Sequence, residues 1–230
     1  MNYVILNGIK STTVKGLIIQ SLPPISKPLM RTSVEEIDGR DGDIITNLGY
    51  SAMDKAMSIG LFGDYDVDEV IKFFSGSGTV IFSNEPDKFY KYQIIAQIDF
   101  ERLIRFKTAM VTFHVQPFKF SAVDDYFKVE NVENFKLINR GNTFSRPKIT
   151  FYGSGMVDLY LNGHLVMVFT IDSDHITIDS EEMNAYCGNV LKNRYVVGDY
   201  DTFVFKVGTN EVSWDGSVDK VEVEKYSRWI

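Results

Sequence analysis

The sequence predicts a mainly β protein built from two modules, with a single helix in the first. Three observations carry this. Aromatic residues make up 13% of the 230-residue chain and recur with Val, Ile and Thr in short runs, the composition of strands. Only one stretch, residues 64–75, repeats apolar side chains at helical spacing. Near Phe120 the texture turns more polar, and beyond it the chain is nearly all strand signals parted by Gly, Asn and Asp. A chain that is 44% hydrophobic and 24% charged has an ordinary globular balance, and this length can bury two modest cores without disulfides.

Taken in order, YVILNGIKS reads as a hairpin from Tyr3 through a turn at Asn7-Gly8. GLIIQSLPPISKP is a strand ended by Pro23, Pro24 and Pro28, since proline removes ladder donors. TSVEEIDGRDGDIITN predicts a long hairpin with a glycine-rich tip between Asp38 and Asp43, and AMSIGLFG another strand. In DYDVDEVIKFFSGSG, Asp64 or Asp66 can cap a helix and Asp68 and Glu69 lie in its first turn, where the dipole favours anions. Val67, Val70, Ile71 and Phe74 share one face; Gly76 and Gly78 stop it. TVIFS, KYQIIAQIDF and TAMVTFHVQPF follow as three strands.

A domain boundary is expected within residues 121–135, giving a first domain over 1–125 and a second over 126–220, with a C-terminal strand over 221–230 packing back on the first. KITFYGSG, MVDLYLNG, HLVMVFTI, HITIDSE, NAYCG, RYVVG, TFVFKVG, NEVSWDG and SVDKVEVEKY are short strands between turns, the pattern of a β-sandwich.

The chemistry-bearing residues favour no reaction. SGSGTV follows a helix and precedes a strand, the reverse of a phosphate-binding loop, and reads as a helix stop. His114, His164 and His175 lack a Gly-x-Ser-x-Gly elbow. Asp41 and Asp43 sit beside turn glycines, so they read as turn residues before a glycosidase pair. Cys187 has no second cysteine for a disulfide or a thiolate pair. The cluster of Asp172, Asp174 and Asp179 is first a set of solvated turn residues; with Tyr160 and Trp214 it is the candidate for a weak cation or sugar site. EF-hand spacing is absent. No cofactor and no metal is expected, and the protein is read as a non-enzyme.

A formal net charge of −7 argues against a broad electrostatic grip on nucleic acid. The opening MNYVILNGIKSTTVKG lacks a basic region followed by an apolar core, and no apolar run approaches the roughly 20 residues of a membrane span. The expectation is a soluble protein made in the cytoplasm, without membrane insertion.

Several segments together resemble the distal tail proteins of long-tailed phages that infect Gram-positive bacteria. In the first half these are the hairpin IDGRDGDIIT, the short helix, GTVIFSNEPDKFYKYQI and MVTFHVQPFKF; in the second, RPKITFYGSGMVDLYLNG, ITIDSEEMNAY and VGTNEVSWDGSVDKVEVEKYSRWI, ending in Arg228-Trp229. The family's usual GEN turn appears as Gly208-Thr209-Asn210. The resemblance implies a mainly β fold with an N-terminal split β-barrel carrying one α-helix and a C-terminal galectin-like or carbohydrate-module-like β-sandwich. It implies a homohexameric ring at the virion tail tip, between the tail-tube protein and a tail-tip fibre or lysin protein, with DNA passing through the lumen. A receptor-binding protein or a host saccharide is the further partner it implies. Pro86 would then fix a structural turn, and Phe89, Tyr90 and Tyr92 would pack barrel or ring contacts. The other reading is a carbohydrate-binding accessory protein that meets host wall sugars through the sandwich.

Overall fold

A computed structural model of the chain describes residues 1–123 and 126–230. The chain divides into two compact units, Met1–Ala122 with Ile230, and Val123–Trp229. The expected boundary at 125/126 touches Asp124 and Asp125, which lie outside the described residues.

The first unit opens with β1 (Val4–Leu6) and β2 (Ile9–Lys10). Between them Asn7 and Gly8 hold φ of 50° and 83°, the two left-handed residues of a type I′ hairpin turn. β3 (Leu17–Ser21) ends before Pro23. β4 (Met30–Glu36) and β5 (Asp43–Tyr50) pair into a ribbon, and β6 (Met53–Leu61) returns to the main sheet. α1 (Val67–Phe73) is capped by Asp66, whose Oδ1 accepts from the backbone N–H of Asp68 at 2.9 Å and of Glu69 at 3.4 Å. Val70 within the helix and Phe74 at its C-cap are buried. β7 (Ser77–Phe82) and β8 (Lys88–Gln93) follow.

The expected strand KYQIIAQIDF is only half a strand. After Gln93 the chain leaves the sheet and forms a second helix, α2 (Phe100–Phe106), so the expectation of one helix is corrected to two. Asp99 Oδ1 accepts from Arg102 N–H at 2.8 Å, and Lys107 at φ 57° ends the helix. Two turns bury a single core residue, Leu103, too few for a periodicity to register against the β-branched run before it.

β9 (Thr108–Ser121) alternates buried Ala109, Val111, Phe113 and Val115 with outward residues. The strands run β2-β1-β7-β8-β9-β6-β3, with antiparallel neighbours, and the sheet curls into a half-barrel. Inside it Phe113 meets Phe82 and Tyr92 edge-on, with ring centroids 5.6 and 5.3 Å apart, the geometry aromatic quadrupoles favour.

The second unit begins with β10 (Tyr126–Glu130) and β11 (Asn134–Asn139), two strands in the more polar stretch that holds the expected boundary. Their alternation is real but one-sided, with Phe135 and Leu137 buried between exposed Asn134, Lys136 and Ile138. β12 (Lys148–Leu161), β13 (His164–Ile171), β14 (His175–Asp179), β15 (Asn184–Cys187), β16 (Val190–Leu191), β17 (Val196–Gly198) and β18 (Gly208–Glu224) complete it. Two pairs of expected strands are each one long strand, because the glycines read as turns are bends. β12 pairs with β14 over residues 148–152 and with β13 over 155–161, and β18 pairs with β11 at its start and β10 at its end. Strands that bend and switch partners make the corners of a sandwich.

At the bend the backbones of β12 and β18 close on each other. A Cβ on Gly153 would lie 2.1 Å from Ser217 O, and one on Gly216 2.5 Å from Met156 O; both glycines hold positive φ, 158° and 132°. The two layers face each other through Phe151, whose ring lies 4.9 Å from Phe169 and 6.1 Å from Trp214. TFVFKVG is not a strand. Phe203 and Phe205 are fully buried in this core, and Phe205 is tied by a lone bridge to Ser145. Asn210 closes the turn into β18: its Oδ1 accepts from Lys206 N–H at 3.0 Å and its Nδ2 donates to Lys206 O at 2.8 Å and Gly208 O at 3.0 Å.

Candidate assembly surface

The turn after β7 is fastened from several sides. Glu85 N–H donates to Phe82 O and Lys88 N–H to Glu85 O, at 2.9 and 3.2 Å, while Asn84 Nδ2 donates to Pro23 O at 3.0 Å. Pro86 stands exposed at its apex. The Glu85 carboxylate turns inward to Lys119 Nζ at 2.8 Å, the two side chains being only 15% and 8% exposed. Beside this pair Lys55 is buried and donates to Pro24 O at 2.8 Å. Burial lowers its pKa, against Glu85, which raises it.

On β8, Tyr90 and Tyr92 are buried in the half-barrel core. Burial, and then Glu85, push the Tyr90 hydroxyl well above its ordinary range. Phe89 is half-buried and stacks on Phe120 at 5.5 Å with a 26° tilt. Thus Tyr90 and Tyr92 lie in the barrel interior and leave little for a neighbour to touch.

The exposed surface of the first unit is elsewhere. The β4–β5 ribbon is a two-stranded sheet of its own, and a lone hairpin is marginal in water. Val34 and Ile45 stand directly opposite each other at 53% and 63% exposure. Leu29, Ile37 and Leu48 are exposed along the same segment. Its base is held by Ser51 N–H donating to Leu29 O at 2.9 Å and by the edge-on contact of Tyr50 with Phe118 at 5.8 Å. At the tip Glu36 and Asp43 face each other beside Asp38 and Asp41. The sequence shows the hairpin; it conceals that the apolar side chains of TSVEEIDGRDGDIITN have no core behind them.

In the second unit the candidate sugar or cation residues separate. Trp214 is buried against Phe135 and Phe151, so its reading as a saccharide platform is corrected: its ring fills the sandwich. Tyr160 is half-buried beside Asp215; burial, then that carboxylate, raises its pKa. Asp179 is buried and its Oδ1 accepts from Glu181 and Glu182 N–H, both at 3.0 Å, the turn-forming role. Asp172 pairs with Lys192 Nζ at 2.7 Å, which holds its carboxyl below the ordinary range. Asp174 turns to His175 Nδ1 at 2.8 Å, which lowers its carboxyl likewise. Among the described residues the one trio of metal-ligating side chains within 4.8 Å of one another is Asp174, His175 and Cys187. Sequence spacing hid it, because Cys187 reaches the pair across β14–β15.

Arg228 is buried in the second unit; Nε donates to Phe144 O at 2.7 Å, and Glu181 lies at 3.6 Å. Burial lowers its pKa.

A curled β half-barrel followed by a β-sandwich of this topology is the architecture of phage hub proteins of the Dit type, and the chain has that fold. The Dit (gp 19.1) protein of phage SPP1, described as a paradigm of the hub adsorption apparatus in phages infecting Gram-positive bacteria, matches with a TM-score of 0.68 at 14% identity, covering 97% of this chain and 98% of that one. A chain of the phage P2 baseplate in its activated conformation with Ca matches with a TM-score of 0.51 at 11% identity, over 96% of this chain and 98% of that one. The same baseplate with Sr gives a TM-score of 0.51 at 11% identity, over 96% and 97%. No family model and no curated protein matches the chain. At these identities the likeness is one of fold.

Proposed function

We propose that this protein is a structural hub of a phage tail tip, closing with copies of itself into a ring and working without catalysis. The observation that carries the reading is the β4–β5 ribbon, an unsupported hairpin with exposed Val34, Ile45 and Leu48, joined to a fold shared end to end with a phage hub protein. A ribbon of this kind needs a partner to be stable, and its two edges offer unpaired backbone groups for strand addition. Docked on the next copy, the ribbon makes a head-to-tail contact, which closes into a ring when repeated by rotation.

Six copies are the expected number. The ring would join the tail tube to a fibre or lysin protein and let DNA pass, its net negative charge keeping DNA from adhering to the bore. A basic lumen in the assembled ring would contradict that last point. The saccharide reading has lost Trp214 to the core and is not favoured.

Negative-stain imaging of the purified chain, alone and mixed with the tail-tube protein, is the test. Sixfold discs that stack on tube ends are expected. Dispersed single particles in both samples would overturn the reading.

A further inference from the structure

Where β14 begins and β15 ends, three side chains of different chemistry converge at the open end of a hairpin. Cys187 Sγ lies 3.6 Å from Asp174 Oδ1, and 3.8 and 3.7 Å from His175 Nδ1 and Nε2. We propose that Asp174, His175 and Cys187 form a binding site for a thiophilic divalent cation of the zinc class.

The distances fit. Zinc bonds sulfur at about 2.3 Å and nitrogen or oxygen at about 2.0–2.2 Å in a tetrahedron, which sets ligand atoms about 3.5 Å apart. The donor set of thiolate, imidazole and carboxylate is one that zinc accepts and that calcium or magnesium, which take oxygen, do not. Three protein ligands leave a fourth position for water. Asp174 is exposed, while His175 and Cys187 are half-buried, so the ion has a path in. The torsion that turns an imidazole is broad, so the ring can present one nitrogen to the metal while strand β14 holds its Cβ.

A nucleophilic cysteine is the competing use of the same atoms; with the sulfur nearly equidistant from both ring nitrogens, neither a base contact nor a ligand contact is aimed until the imidazole turns. Binding moves one proton: the thiol gives its hydrogen to solvent as the sulfur–metal bond forms. The bound ion would clip the turn at Asp174 to the end of β15, closing the side of the hairpin opposite its Ser180–Met183 turn.

The test uses the full chain, freshly reduced, titrated with Co²⁺. The expected result is a thiolate-to-cobalt charge-transfer absorption that saturates at a single equivalent and is displaced by Zn²⁺. Cys187→Ser is expected to lose the band, and His175→Ala and Asp174→Asn to weaken it, with far-ultraviolet circular dichroism unchanged in all three. Zn²⁺ is expected to raise the melting temperature of the parent and not of Cys187→Ser. Absence of the band in the parent would overturn the proposal, as would a band that His175→Ala and Asp174→Asn both leave at full strength, since the sulfur would then bind cobalt alone.

Discussion

Glu85 spends its charge on a buried lysine. Its partner Lys119 is 8% exposed, and removing one member of a buried pair leaves the other charge uncompensated, at a cost of about 3–5 kcal/mol. Glu85→Gln is therefore expected to lower stability by about 3 kcal/mol in a urea titration, more than any change at exposed Pro86. Gly153 is constrained differently, by a backbone oxygen 2.1 Å from where a Cβ would sit. Gly153→Ala should cost about 1–3 kcal/mol through forced displacement of β18, and a melting curve matching the parent would show that the bend yields freely. Glu222 supplies a pH dependence. Lys220 at 2.8 Å holds its carboxyl below the ordinary range, with Tyr152 Oη donating at 3.1 Å. A depressed folded pKa gives stability that is complete above the unfolded value, about 4.3, and is lost as pH falls through the folded one. Glu222→Gln should flatten the acid limb of the stability profile, and it should also change the alkaline limb, since Glu222 raises the pKa of Lys220 and of Tyr152; an unchanged acid limb counts against the assignment.

At the scale of elements, legibility followed the local signal. α1 was legible because Asp66, Val70 and Phe74 combine a cap with a face. α2 was not, since its cap Asp99 follows QIIAQI, an apolar run that reads as strand. β12 and β18 read as two strands each because Gly153, Gly155 and Gly216 look like turns in one dimension; only the close approach of two backbones makes them bends. The candidate site fared worse than the fold. Burial of Trp214 and Tyr90, and the meeting of Cys187 with His175, depend on pairings that no local pattern encodes. The ribbon was legible as a hairpin, and its exposure was not. Replacing Val34 and Ile45 together by Asp removes the apolar pair without touching either core. The expected outcome is a chain whose melting temperature is close to the parent's but which no longer associates; a large fall in melting temperature would mean that the ribbon is packed within its own chain.

For the whole molecule, the account rests on a division of labour within each copy. The half-barrel and the sandwich each have a core of their own, and among the described residues the β4–β5 ribbon is the two-stranded sheet that belongs to neither. A stable ring contact would be expected to bury about 1,200 Å² or more in total, which a hairpin of two seven- or eight-residue strands supplies only with help from the surface on which it lands. Sedimentation velocity on the parent chain and on a chain in which residues 32–47 are replaced by a short Gly-Ser linker measures this directly. The account predicts a discrete ring mass for the parent, six times that of the 26.2 kDa chain, and a folded monomer for the shortened chain. Identical monomer masses for both, across the accessible concentration range, would contradict it.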